Sequence, residues 1–208
     1  AFLAVQLPAF GKVRDWPRSP WAEMRESIAL LESSLAHTAS VVSTDCGLPD
    51  EIHPPLKRPI GRRLALAARS KVYGEGIVWS GPVFRKADFR KHGAVIHFDH
   101  VGSGLVAGPP PSFNGKPQAS VNGASNSRLR LAVKQEHPLL GFTLAGLDQK
   151  FHKADAEIRD GTVVLKCEAV PEPVAVRYAW QDTPIANLWN KDGLPAGTFR
   201  SDIWPLQT

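Results

Sequence analysis

The sequence predicts an α/β region followed by a β region, on three observations. Within the first 76 residues, two apolar strand-like runs alternate with two amphipathic helix patterns, the signature of an α/β layer. After Gly76 the helical period gives way to short β-rich runs separated by turn residues. The composition is that of a globular chain: of 208 residues, 43% are apolar and 22% charged, with six Trp and nine Phe, which excludes disorder and collagen. No apolar run approaches the ~18 to 20 residues of a membrane span, and Ala1 to Leu7 lack the basic start of a signal peptide.

Phe2, Leu3, Val5 and Leu7 read as a strand buried on both faces, as in a parallel sheet. Such a strand needs neighbours, and its sheet partners are expected upstream of Ala1. Pro8 to Pro17 is a loop. Ser19 is an N-cap with Pro20 at the first helical position, and Trp21, Met24, Ile28 and Leu31 carry the apolar stripe of a helix to about Ala36. Glu23, Arg25, Glu26 and Glu32 fall mostly off that stripe. Thr38 to Thr44 is a second buried strand, followed by the turn-rich Asp45 to Pro55. Ile60 to Val72 is a second helix, stopped by Gly74.

Beyond residue 76, strands are expected at Pro82–Phe89, Ala94–Val101, Leu139–Leu144, Phe151–Ile158, Thr162–Cys167 and Val174–Trp180, with Asp160-Gly161 as a hairpin turn. They argue for an antiparallel β-sandwich. The Pro-, Gly- and Ser-rich stretch 107–127 is a long surface loop, and 182–208 carries isolated apolar anchors in irregular sequence.

The charge balance, 25 basic against 20 acidic residues, is +5. It belongs to no nucleic-acid module: the densest basic group, Lys57, Arg58, Arg62, Arg63, Arg69 and Lys71, reads as a solvated helix face without interleaved aromatics. Cys46 and Cys167 are far apart and offer neither a metal spacing nor a disulfide framework.

Chemistry concentrates at Asp50-Glu51-Ile52-His53, in the loop after the second α/β strand, where open α/β folds place ligands. A carboxylate three residues before a His can accept the Nδ1 proton and leave Nε2 free as a base. A plain surface-loop His is the competing reading. Gln6 ends the first strand and is a candidate substrate-binding residue. His97, Asp99 and His100 suggest a metal at first sight, but strand alternation separates His100 from the other two. Trp16, Trp79 and Trp180 have the faces to stack on sugar rings or, as the commoner fate of Trp, to lie buried.

The segments Phe2-Leu3-Ala4-Val5-Gln6-Leu7, Trp21-Ala22-Glu23-Met24-Arg25-Glu26, Ile52-His53-Pro54 and Gly61-Arg62-Arg63-Leu64-Ala65-Leu66 resemble successive segments of the sialate O-acetylesterase family, within the SGNH hydrolase superfamily. Ser80-Gly81-Pro82-Val83, the run from Phe98 to Leu105, Val176-Arg177-Tyr178-Ala179-Trp180, Asn187-Leu188 and Gly193-Leu194-Pro195-Ala196 continue the resemblance in order. It implies the C-terminal half of an SGNH-type three-layer α/β domain (residues 1–76) followed by the β-sandwich (77–208). It also implies a secreted or periplasmic serine esterase that removes acetyl groups from sialic acid or plant polysaccharide sugars without a cofactor.

By that resemblance His53 is the catalytic His and Asp50 the Asp, with Glu51 and Asp45 as further candidates for the orienting carboxylate. No G-x-S-x-G elbow occurs, and the resemblance places the nucleophilic Ser and the oxyanion hole on a segment preceding Ala1, the expected partner of this chain. Ser103, between Gly102 and Gly104, follows a β-sandwich strand and matches a family segment without a catalytic role. A non-catalytic, saccharide-binding or structural β-rich subunit is the alternative function class.

Overall fold

The structure, a computed structural model, describes residues 1–12, 19–109 and 137–205. Its strands are β1 (Phe2–Val5), β2 (Thr38–Val41), β3 (Val83–Arg90), β4 (Gly93–Asp99), β5 (Leu105–Ala107), β6 (Phe142–Ala145), β7 (Phe151–Lys153), β8 (Asp155–Arg159), β9 (Thr162–Lys166), β10 (Ala175–Tyr178), β11 (Leu188–Asn190) and β12 (Phe199–Arg200). Two helices, α1 (Pro20–Ser34) and α2 (Lys57–Lys71), and a short 3₁₀ turn at Thr44–Cys46 lie in the first third. The fold is mixed α/β with mostly antiparallel strands.

β1 and β2 pair in parallel, Phe2 opposite Thr38 and Val5 opposite Val41. α1 connects them in the usual crossover manner. Ser19 caps α1 as its sequence predicts, accepting the amide N–H of Ala22 at 2.9 Å. α2 begins three residues earlier than expected, because Pro59 fits the first helical turn, where no N–H is required. It ends at Lys71 with Val72 as C-cap, and Gly74, three residues on, turns the chain with φ +74°, a conformation that favours Gly.

The expectation that β1 is buried on both faces is corrected. Phe2 is 63% exposed and Val5 is also exposed, since β2 is the only strand that pairs with β1 among the described residues.

The remaining strands form two four-stranded antiparallel sheets, β3-β4-β9-β8 and β12-β10-β6-β7, and the ribbon β11-β5. Ala94, Ile96 and Phe98 of β4 and Val163 and Leu165 of β9 point inward at every second residue. They share one hydrophobic core with Leu144 of β6, Val176 and Tyr178 of β10, and Leu188 of β11. The expected single run Phe151–Ile158 divides into β7 and β8, which belong to different sheets. Ala154 is the crossing point, its N–H bonded to Phe142 O at 3.1 Å.

The Asp160-Gly161 turn is as read, with φ of 47° and 74° between paired Arg159 and Thr162. The segment expected to be irregular after residue 182 instead contributes β11 and β12. Trp16, and the loop expected at 107–127 from residue 110 on, lie outside the described residues.

Candidate active site

The loop after β2 is anchored before it reaches His53. Ser43 is fully buried and donates to Gln6 O at 2.6 Å, tying the carboxyl ends of β1 and β2 together. Arg63 reaches from α2 and grips both oxygens of Asp45 at 2.6 and 2.7 Å, while donating to Val42 O at 2.8 Å. Burial lowers the Arg63 guanidinium, but the charge and hydrogen bonds of Asp45 outweigh it and hold the group above its ordinary value.

The reading of Arg63 as part of a solvated face is therefore corrected: it is 1% exposed and forms a buried, bidentate ion pair. Beside it, burial and then the Asp45 charge push the Cys46 thiol up to about 12, so this cysteine is an inert filler.

From Leu48 to Glu51 the chain closes a tight turn, and His53 follows on the surface. The His53 side chain is 86% exposed. Its Nδ1 lies 3.3 Å from Oε1 of Glu51, and the same oxygen accepts the His53 backbone N–H at 2.7 Å. Asp50 is exposed at the turn, and no hydrogen bond joins it to His53 among the described residues. Asp45 is committed to Arg63. Of the three candidate carboxylates, Glu51 is thus the one the structure brings to the imidazole, Asp50 is adjacent in the chain, and Asp45 serves α2.

Gln6 sits at the end of β1, where its carbonyl accepts from Ser43. It is buried, its Nε2 donates to Ser40 Oγ at 3.1 Å, and its Oε1 has no hydrogen-bond partner. The remaining candidates are structural. Ser103 is held by Asp192, which accepts its N–H at 2.7 Å and its hydroxyl at 3.0 Å. His97 bonds Asp88 at 2.8 Å on the β3–β4 surface, and His100 has left the strand with φ 55°. Among the described residues no group of His, Cys, Asp and Glu could hold a metal.

Trp79 and Trp180 are buried. Lys71 Nζ lies 4.7 Å over the Trp79 ring, and the guanidiniums of Arg177 and Arg200 lie 5.0 and 5.3 Å from the Trp180 ring.

Sequence reasoning missed the residues that join the two regions. Arg25 is fully buried and donates to four carbonyls, those of Leu7, Pro8, Gln181 and Asp182, at 2.7 to 2.8 Å. Burial pulls its guanidinium down to about 9. Asp182 also accepts the Ser19 hydroxyl at 2.7 Å, and Glu26 pairs with Arg200 of β12 at 2.9 Å. No local pattern marks Arg25, because its partners Gln181 and Asp182 lie 156 and 157 residues away.

No family model and no curated protein matches the chain. Among solved structures it is similar to the crystal structure of a carbohydrate acetylesterase from Xanthomonas citri, at 41% identity and a TM-score of 0.78. The similarity covers 97% of this chain and 41% of that one, so the chain spans about two fifths of the structure it matches. Among the described residues no helix is long and apolar enough to cross a membrane.

Proposed function

We propose that this chain is the C-terminal portion of a serine carbohydrate acetylesterase of the sialate O-acetylesterase type, composed of part of an SGNH-type α/β layer and a β-sandwich. The observation that carries the reading is the 41% identity, over nearly all of the chain, to a carbohydrate acetylesterase of which it spans two fifths. In this reading His53 takes the proton from a Ser borne on a preceding segment as that Ser attacks the acetyl carbonyl. It then protonates the departing sugar hydroxyl, and activates the water that releases acetate. An exposed loop position suits this role, since the imidazole must reach a group outside the chain.

Asp50 is our choice for the orienting carboxylate. The Glu51 contact at 3.3 Å is long, it uses an oxygen already bonded to the His53 amide, and both groups face solvent. Catalytic hydrogen bonds commonly tighten only when the site is assembled and occupied. The exposed apolar side chains Phe2, Met24 and Leu30 on β1 and α1 are natural contacts for the preceding segment.

The test is acetate release from acetylated sialic acid and from acetylated xylan or xyloglucan oligosaccharides by the assembled enzyme. His53→Ala lowers kcat by about three decades or more, Asp50→Asn by roughly one to three, and Glu51→Gln by less than about threefold. A His53→Ala enzyme retaining more than about a tenth of the activity overturns the assignment of the base. The reverse order of Asp50 and Glu51 transfers the orienting role to Glu51.

A further inference from the structure

A cleft of about 450 Å³ separates α1 from the β region, and His53 is not among the residues that line it. Glu26 of α1 and Arg200 of β12, which are joined to each other, line one part of it; Ser33 and His100 line another. Its size is that of an ordinary small-molecule pocket. Gln6 and Ser40 line the cleft from the β1–β2 side, and here the polar bookkeeping is incomplete. Gln6 is 5% exposed, and its Oε1 is a buried acceptor without a partner. Leaving a buried acceptor unpaired is unfavourable, so this atom calls for a donor. A Cβ built on Gly197, which also lines the cleft, would stand 3.5 Å from that oxygen.

The donor's chemistry follows from its surroundings. Next to Oε1, the Ser40 hydroxyl accepts from Gln6 Nε2, and its own proton donates to no described group. An acceptor beside a free hydroxyl suits an alcohol, which donates to one and accepts from the other. The charges around the cleft are already balanced, Glu26 by Arg200 and Glu32 by Lys71, so nothing there attracts an ion. Val42, Phe84 and Phe199 add apolar surface against which the C–H face of a ring can lie.

We propose that the cleft between α1 and the β3–β12 rim is a second binding site, for one neutral polyhydroxylated ring such as an unacetylated sugar unit, hydrogen-bonded through Gln6 Oε1 and Ser40 Oγ. The site does not depend on the esterase reading, because it requires neither His53 nor an ester.

The experiment uses the natural full-length protein, with methyl β-D-xylopyranoside and methyl β-D-galactopyranoside as probes that carry no acetyl group. Titration calorimetry and saturation-transfer NMR are expected to show saturable binding of at least one probe, with a dissociation constant of about 1 to 10 mM. Gln6→Leu weakens it about tenfold or more, while His53→Ala leaves it unchanged. Should Gln6→Leu fail to fold, Ala29→Trp fills the cleft from the helix side and abolishes binding, with thermal melting to verify that this variant is folded. The proposal is overturned by no saturable binding of either probe up to about 100 mM. It is equally overturned by binding that survives Ala29→Trp, or by binding lost in His53→Ala, which would place the sugar at the esterase site. Loss of acetate release alone bears on the esterase reading and leaves this one standing.

Discussion

The two regions of the molecule bury their apolar side chains very differently. In the β region, the two four-stranded sheets and the β11-β5 ribbon share one continuous core, and Ile96, Leu144, Val163, Val176 and Leu188 are fully enclosed. In the α/β region, the buried cluster is only Ala39, Val41 and Ala67, closed by Trp79 from the segment that follows, with Leu3, Leu64 and Leu66 packed against it. Large apolar side chains there remain open to solvent, among them Phe2, Met24, Leu30, Leu35, Val72 and Tyr73. What holds the α/β region in place is instead polar: the Arg25 carbonyl cluster, the Ser19–Asp182 bond and the Glu26–Arg200 pair fasten it to the β region, and Arg63–Asp45 fastens α2 to its own loop. One region is stabilised mainly by what it buries within itself, and the other by where it is attached. Under the proposed function the second carries the chemistry, and its open apolar surface is the face that receives the nucleophile-bearing segment.

The comparison breaks most visibly in the β core. Ile96→Ala removes a fully buried side chain between well-packed strands and is expected to cost about 3 to 4 kcal/mol, whereas Val41→Ala, in the small cluster, costs about 1 to 2. Chemical denaturation of both variants reads the difference, and equal losses would remove the distinction between the cores.

Arg25→Met comes next, with an expected loss of about 2 to 3 kcal/mol, because four carbonyls lose a charged donor, one in a buried bond and three in partly buried ones. Hydrogen exchange localises the effect. Amides of α1 are expected to exchange faster while those of β4 and β9 keep their protection, and equal acceleration in all three would mean that the two regions open as a single unit.

The smallest effect is chemical. With its pKa pushed up from 9.0 to about 12, the Cys46 thiol carries almost no thiolate at pH 8 and is expected to resist iodoacetamide in the folded protein, reacting only after denaturation. Rapid native labelling at Cys46 would show that the Arg63–Asp45 clamp opens readily.

Most of the strands of the β region were legible as short β-rich runs bounded by turn residues, and in β4, β8 and β9 a two-residue alternation adds to this, with Ala94, Ile96 and Phe98 turned inward. The division of 151–158 between two sheets was not: Phe151 is out of step with Ala154, Ala156 and Ile158, but three residues are too few to show a period of their own, and the long-range bond to Phe142 marks the crossing. β11 and β12 escaped for another reason: strands of three and two residues are too short to show a period.

At the candidate site, Asp50, Glu51 and His53 were legible as a local motif. The supports behind them were not, because a buried Arg63 or Arg25 has no local signature that distinguishes it from a solvated one. Its burial is set by partners such as Asp45, 18 residues away, or Asp182, 157 residues away.

The central claim, that this chain contributes the base and a separate segment the nucleophile, is tested most directly by the 208-residue chain on its own. It is incubated with p-nitrophenyl acetate and a serine-directed fluorophosphonate, then mixed with the complementary segment and assayed again. The account predicts no hydrolysis and no labelling of the isolated chain, then acetate release on mixing, with the label on the added segment. Hydrolysis by the isolated chain, with the label on one of its own serines, would contradict it.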